Sequence, residues 1–430
     1  MSEADFGSLA LLLFLLIAAA HVLGYLFTRL RQPRVIGEIL AGVLLGPSLL
    51  GRFLPFAGTG VSDHSTDVAL GALYHLGLLL LMLLAGAETR RLFDAADRRQ
   101  TLWLAAIGTA VPFALMLAAS PYLPLSALMG TAGQTTALAL VLSAAVAVTS
   151  IPVISRIFHD LGILRTRFAR LVLGAAVLED LALWAVLAVA TALAGSAMAS
   201  PAQISVRVAA TLAYFATGLT LLPCLIRRLN AHRHNLLLAA SPIGYVVAVL
   251  LAYAALASVL GVSLVFAAFL AGFAVAGEHE RFRGPLDALS RTSYAVFIPV
   301  YFAVVGLRLD LSRSLSLTLL IVFLVGSSAI KLASAGLGAR LAGFRGLDAI
   351  NLAIATNARG GPGIVIASIA YDAGIISSAF YTALVLTAVL TSQAAGAWLE
   401  HLLRRGVPLL QTAERAPVVA EPPAELNFSA

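Results

Sequence analysis

Three ionisable residues stand where an apolar stretch normally admits none. Glu179 and Asp180 are adjacent inside LVLGAAVLEDLALWAVLAVATAL, and Lys331, the sole lysine of the chain, lies inside LLIVFLVGSSAIKLASAGLGA. An ionisable side chain near the centre of a bilayer costs roughly 2.5–3.5 kcal/mol on insertion scales, so it normally has a buried partner or an aqueous route beside it. An acidic pair in one span and an ammonium in another suit a site that binds and releases small cations, protons included. Adjacent helical positions are about 100° apart, so Glu179 and Asp180 do not face the same point. One can face a cavity while the other faces Lys331. Small hard cations prefer oxygen ligands, so a deprotonated carboxylate with a hydroxyl, freed carbonyls and water is sufficient coordination. A carboxylate that takes both a proton and a metal ion makes the two compete for one site.

The elements that must position these residues are membrane spans. The chain has 430 residues, 60% of them hydrophobic and 11% charged, with a mean hydropathy of +0.96. A soluble protein of this composition would lack the polar surface to cover itself; a polytopic membrane protein needs little. The net charge of +7 therefore implies no nucleic acid; it is what remains when cytoplasmic loops collect arginine. The single cysteine, Cys224, excludes an internal disulfide and a Cys-rich metal site. The first apolar run, from about Ser8, has an acidic flank and no small-residue cleavage site, and reads as a mature span.

Polar and Pro/Gly punctuation cuts the chain into thirteen apolar segments: about 8–30, 35–51, 67–88, 100–119, 134–158, 168–195, 203–228, 238–259, 263–277, 292–307, 314–341, 348–370 and 377–402. Each approaches the ~20 residues that cross a hydrocarbon core, with the second and ninth short. With the N-terminus outside, twenty-one arginines fall in or beside the inward connections, against Arg52, Arg308 and Arg313 in the outward ones. An even number of spans would not keep that alternation. The C-terminus is then cytoplasmic, and residues 416–430 read as a disordered tail.

A weak repeat runs through this map. ILAG at 39–42 echoes FLAG at 269–272, and LLAGAETRRL from Leu83 echoes AVVGLRLDL from Ala303. The copies lie seven segments apart, and an odd displacement reverses direction across the membrane, so the repeats are inverted, as in many secondary transporters. The division expected is repeat one over about 8–195, a linker helix at 203–228 and repeat two over about 238–402, within a transmembrane domain of residues 1–415. The same displacement pairs segments five and twelve. Both are interrupted, one by VTSIPV (148–153, with Pro152) and the other by NARGGPG (357–363, with Asn357, Gly360, Gly361 and Pro362). Pro and Gly at mid-membrane depth free backbone groups that survive only where protein or a water-filled cavity satisfies them.

RQPRVIGEILAGVLLGPSLLG (31–51), SAAVAVTSIPVISRIFHDLGIL (143–164), LEDLALW, FLAGFAVAG, PVYFAVVGLRLDL and NARGGPGIVIASIAYDAGIIS resemble the signature stretches of the monovalent cation/proton antiporters, in the branch of the Kef-type and bacterial sodium/proton exchangers. The resemblance covers about residues 10–402, with the motifs in the family's order. It implies an all-α polytopic fold with about 13 transmembrane helices and two crossing broken helices. It also implies a homodimer of protomers with a mobile core domain, in the bilayer of a bacterial inner membrane, moving Na+ or K+ against H+ with no cofactor. Asp180 matches the essential carboxylate that would take the transported metal cation, Glu179 the variable first position, and Lys331 the lysine bonded to it. Thr149 and Ser150 fall in one unwound segment, and Asn357 and Arg359 near the other. Glu179 departs from the family's best-studied choices, so ion stoichiometry does not transfer, and the expectation is a transporter without the nucleotide-binding domain of the Kef sort.

Plainer roles stand beside these. Glu179 and Lys331 can form a static buried salt bridge, or Lys331 can release its proton when the cation binds and so add a charge to the transport cycle. Arg359 either bonds carbonyls of the broken helix or contacts a carboxylate such as Glu179. Thr149 and Ser150 either ligate the ion or bond the preceding turn. Glu38, four residues after Arg34, reads first as a helix-end salt bridge, and Asp310, Asp348 and Asp372 as capping or solvated groups. His75 and His159 have the side chain of a pH sensor without a partner in the pattern. Gly37, Gly42, Gly46 and Gly51 suit close helix packing. Scattered histidines and no zinc spacing argue against an intramembrane enzyme. A channel or uncoupled sensor on the same fold is the alternative that the residues leave open.

Overall fold

The computed structural model describes residues 3–30, 32–49, 64–92, 98–164, 166–195, 201–232 and 235–410. The expectation for the 416–430 tail lies outside the described residues, as do Gly51 and Arg52. The helices are α1 (Glu3–Arg29), α2 (Arg34–Leu45), α3 (His64–Leu92), α4 (Arg98–Ala119), α5 (Thr135–Ala147), α6 (Ile151–Asp160), α7 (Arg167–Ala194), α8 (Pro201–Ala231), α9 (Leu236–Ala240), α10 (Pro242–Val259), α11 (Leu264–Val275), α12 (His279–Thr292), α13 (Ile298–Leu307), α14 (Leu311–Ser314), α15 (Leu317–Leu341), α16 (Leu347–Thr356), α17 (Gly360–Asp372) and α18 (Ser378–Arg404). Nine stretches among the described residues are helical, at least eighteen residues long and apolar enough to cross a membrane. The shorter α2 and α11, and the interrupted α5–α6 and α16–α17, account for the other four of the thirteen segments.

Hydroxyl caps open several spans: the side chains of Thr166, Ser241, Ser316 and Ser377 accept from Ala169, Gly244, Leu319 and Phe380 backbone N–H groups. The tenth span differs from its expected start at about 292. Helix begins at His279, and a π-helical turn at Ser293–Phe297 joins α12 to α13. The added turns, HERFRGPLDALSRT, are polar, so hydropathy marks only the part of the helix suited to lipid.

The inverted repeat appears in the packing. Helix α2 lies on α13 and α3 on α11, and each crossing is made by the glycines of the repeated motifs. A Cβ on Gly42 would strike the Ala303 carbonyl, and one on Gly306 the Ile39 carbonyl. In the other crossing Gly86 meets the Phe269 carbonyl and Gly272 the Leu83 carbonyl, with the same three-residue offset. Backbone-to-backbone approach of this kind admits only glycine. The echoes ILAG/FLAG and LLAG/AVVG are thus two halves of one reciprocal contact, each repeat supplying one helix to each crossing.

Candidate functional site

The two broken helices cross at their unwound segments. Pro152 is the second residue of α6, where a missing N–H is one that a helix start leaves unpaired anyway; a helix α5 run on through it would lose the bond to the Val148 carbonyl. Helix α5 accordingly ends at Ala147. Across the crossing, the Ser150 N–H donates to the Ala358 carbonyl (2.7 Å) and the Thr149 hydroxyl to the Thr356 carbonyl (2.5 Å). Gly360 begins α17 at φ +34°, and a Cβ there would sit 2.7 Å from Ser150 Oγ and collide with Val153. Its N–H donates to Ser392 Oγ at 3.0 Å, while the Arg359 N–H reaches Thr391 Oγ1 at 3.4 Å. The freed backbone groups are therefore met by the other broken helix and by α18, as a protein-lined break in lipid requires. Gly361 and Pro362 follow in the first turn of α17, and both line the cavity described below.

Glu179 and Asp180 diverge on α7. Glu179 Oε2 pairs with Lys331 Nζ at 3.0 Å, and neither side chain is exposed. The ammonium also donates to the Gly108 carbonyl (3.0 Å) and the Ala147 carbonyl (2.5 Å), so all three of its protons are used. Both carbonyls are available for an identifiable reason. Ala147 ends α5 at the break, and Gly108 lies four residues before Pro112 in α4, which lacks the N–H that would otherwise bond it. Asp180 faces the other way, into a cavity of about 360 Å³ that Arg34, Glu38, Glu88, Trp184 and Tyr294 also line. It is only 2% exposed, and its Oδ1 has no hydrogen-bond partner. Tyr294 enters the cavity from the π-helical turn, an irregularity frequent at functional sites.

Arg359 is buried. Its guanidinium donates to Ser327 Oγ at 2.6 Å and to Asn357 Oδ1 at 3.5 Å, and lies 5.8 Å from the Phe323 ring centre. Its contacts are side-chain oxygens and an aromatic face, not the carbonyls or Glu179 weighed from sequence. Among the described residues no three His, Cys, Asp or Glu side chains form a metal-holding group.

Asp310 caps α14, accepting from the Ser312 and Arg313 N–H groups at 3.1 and 3.2 Å. Those contacts hold its carboxyl below the usual carboxylate range, the Ser312 hydroxyl first among the causes. Asp348 is buried in the first turn of α16. Asp372 corrects its expected role: it accepts from Tyr74 Oη (2.9 Å) and pairs with Arg308 (2.6 Å), whose guanidinium lies 4.0 Å from the Tyr74 ring centre. This is a three-residue tie between α3, the end of α13 and the end of α17. The reading from sequence also passed over Glu88 and Tyr294. Their signal was weak, an acid just after the LLAG motif and an aromatic at a span's polar edge.

The family described as sodium/hydrogen exchanger, transmembrane, matches residues 14–405. The chain is 30% identical over 387 residues to cation/H(+) antiporter 18 of Arabidopsis thaliana, covering 88% of this chain and 47% of that protein. It is 25% identical over 398 residues to the Na(+)/H(+) antiporter NhaS4 of Synechocystis, covering 90% and 96% respectively. It thus spans about half the length of the plant and yeast relatives it matches and nearly all of NhaS4. The fold matches that of the sodium proton antiporter MjNhaP1 from Methanocaldococcus jannaschii with a TM-score of 0.62 at 14% identity, over 93% of this chain and 99% of that one. Matched over almost its whole length, and carrying the broken-helix crossing beside a buried carboxylate, the chain belongs to the sodium/hydrogen exchanger family.

Proposed function

We propose that the chain is a secondary active antiporter that exchanges a monovalent cation, Na+ or K+, for protons, with Asp180 alternating between the two. The observation that carries this is Asp180 itself: a buried carboxylate with one oxygen unpartnered, outside the Lys331 salt bridge that holds Glu179 (whose Oε1 is also unpartnered), at the wall of a cavity beside two crossing broken helices. A buried polar atom without a partner is costly, and either a bound proton or a bound cation relieves that cost. Relatives named as Na(+)/H(+), K(+)/H(+) and Na(+)/H(+)-K(+) antiporters keep both ions in view.

Glu179 and Lys331 support the site without titrating in it. Three acceptors surround the ammonium, and a neutral amine has only two N–H groups and a lone pair. Loss of the proton would orphan one acceptor and turn a lone pair toward an oxygen, so Lys331 keeps its charge. Thr149, Ser150 and Asn357 hold the crossing, and Arg359 anchors it to α15 through Ser327. The repeats, at about 8–195 and 238–402, are joined by α8. The cavity rim at Arg34 lies at the arginine-rich, cytoplasmic end of the spans. The protein works as a homodimer in the cell membrane, N-terminus outside and C-terminus inside.

Purified chain in liposomes, loaded with acid and offered Na+ and K+ separately over a pH series, tests this. Saturable, cation-dependent proton efflux is expected. Cation flux that runs down its gradient with no proton movement would replace exchange with an uncoupled conductance.

A further inference from the structure

The cavity wall holds a second charged pair that exchange at Asp180 leaves without a task. Glu38 on α2 is 4% exposed and lines the same cavity as Asp180. Its counter-ion, Arg34 Nε, lies 2.9 Å from Glu38 Oε1, yet the Arg34 side chain is 41% exposed and sits at the cavity rim.

As a stabilising device the pair is badly placed. Arg34 is the first residue of α2, where the helix dipole disfavours a cation, and the first turn contains no acid to offset it. Placing the cation four residues before the acid is also the weaker of the two orders on a helix. The fold nevertheless makes room for it: a Cβ on Gly24 of α1 would come within 2.8 Å of Arg34 Cγ. A buried carboxylate needs a positive partner, and this one's partner, although its Nε is buried, belongs to a side chain that reaches water at the rim. An arriving monovalent cation can take that place. Asp180, with its unpartnered oxygen, lines the same cavity, as do Glu88 and Tyr294.

We propose that Glu38 is a docking ligand for the transported monovalent cation and that Arg34 is its resident competitor, so that the pair sets the apparent cation affinity. The inference rests on Asp180 being the exchange site. In each encounter the cation displaces the guanidinium from Glu38, sheds part of its water against the carboxylate, and passes to Asp180. Arg34 then closes on Glu38 again and returns the rim to neutrality.

The two partners then have opposite effects, which a structural salt bridge would not. With the full chain in liposomes at fixed pH, initial proton efflux is measured against Na+ and against K+ concentration. Glu38→Gln should raise KM about five-fold or more, the effect of about 1 kcal/mol in binding. Arg34→Gln should lower KM by a similar factor, and the double variant should return to the KM of Glu38→Gln, since no carboxylate is left to unmask. If both single variants lose rate and thermal stability together with KM unmoved, the pair is structural and the proposal falls. If Glu38→Gln does not fold, Arg34→Gln alone decides: a KM equal to or above the parent overturns the proposal. Exchange that survives Asp180→Asn would remove the underlying site. An inactive Asp180→Asn with parental KM in both pair variants would remove only the role of Glu38.

Discussion

Removing the buried charges of Glu179 and Lys331 one at a time should cost more than removing both together. Lys331→Gln leaves the Glu179 carboxylate fully buried without its cation, which costs about 3–5 kcal/mol. Glu179→Gln is milder. The ammonium keeps the Gly108 and Ala147 carbonyls and exchanges a carboxylate for an amide oxygen, a loss of about 1.5–3 kcal/mol for a charge-assisted bond. In the double variant no charge remains, and the side-chain amide that replaces the ammonium offers two N–H groups to the two carbonyls. Its cost is whatever carbonyl stays unbonded, about 1–3 kcal/mol. The coupling is therefore several kcal/mol, well above the ~0.5 kcal/mol scatter expected of independent sites. Thermal unfolding of the detergent-solubilised protein at neutral pH, compared across the parent and the three variants, measures it. The expected order of stability is parent, double variant, Glu179→Gln, Lys331→Gln. A double variant that unfolds below both single ones, with additive losses, would refute the three-acceptor account of Lys331.

The same double variant, with Asp180 intact, should transport with the voltage dependence of the parent, because a lysine that never releases its proton adds no charge to the cycle; flux against an imposed membrane potential checks this. Gly306→Val should prevent recovery of folded protein, since the Ile39 carbonyl occupies the space, whereas Gly326→Ala, with nothing within 4 Å, should be neutral or stabilise α15 by about 1 kcal/mol; yield and unfolding temperature separate the two. Asp372→Asn should lower stability by about 2 kcal/mol through the weakened bonds to Arg308 and Tyr74, a loss that Arg308→Gln in the same chain should largely contain and that thermal unfolding can follow.

The spans, the acid pair and the interruptions at 148–153 and 357–363 were legible because each breaks a strong local rule: charge, Pro or Gly inside a long apolar run. The reciprocal glycines were visible only as an echo, since two four-residue likenesses do not say which helices touch. The acceptors of Lys331 were harder to see. Their marks in the sequence are Pro112, which frees the Gly108 carbonyl, and the 148–153 break, which frees that of Ala147, but nothing along the chain says that α4 and the end of α5 pass Lys331. Asp372 misled for a related reason: a residue at a helix end is solvated by default, and only the approach of Arg308 and Tyr74 from distant spans makes it a tie. Glu88 and Tyr294 are polar residues near a span's edge, where lipid headgroups would explain them equally well. Their place on the wall that Asp180 shares is a property of the assembled helices.

The most direct test of the central claim is proton flux by Asp180→Asn. Asparagine keeps the size and the lone pair of the carboxyl group but holds neither a proton nor a charge, so it should leave α7, the Glu179–Lys331 pair and the crossing in place. In liposomes the variant should fold as the parent does and show no Na+- or K+-dependent proton movement at any pH. Cation-dependent proton flux at the parental rate would contradict exchange at Asp180.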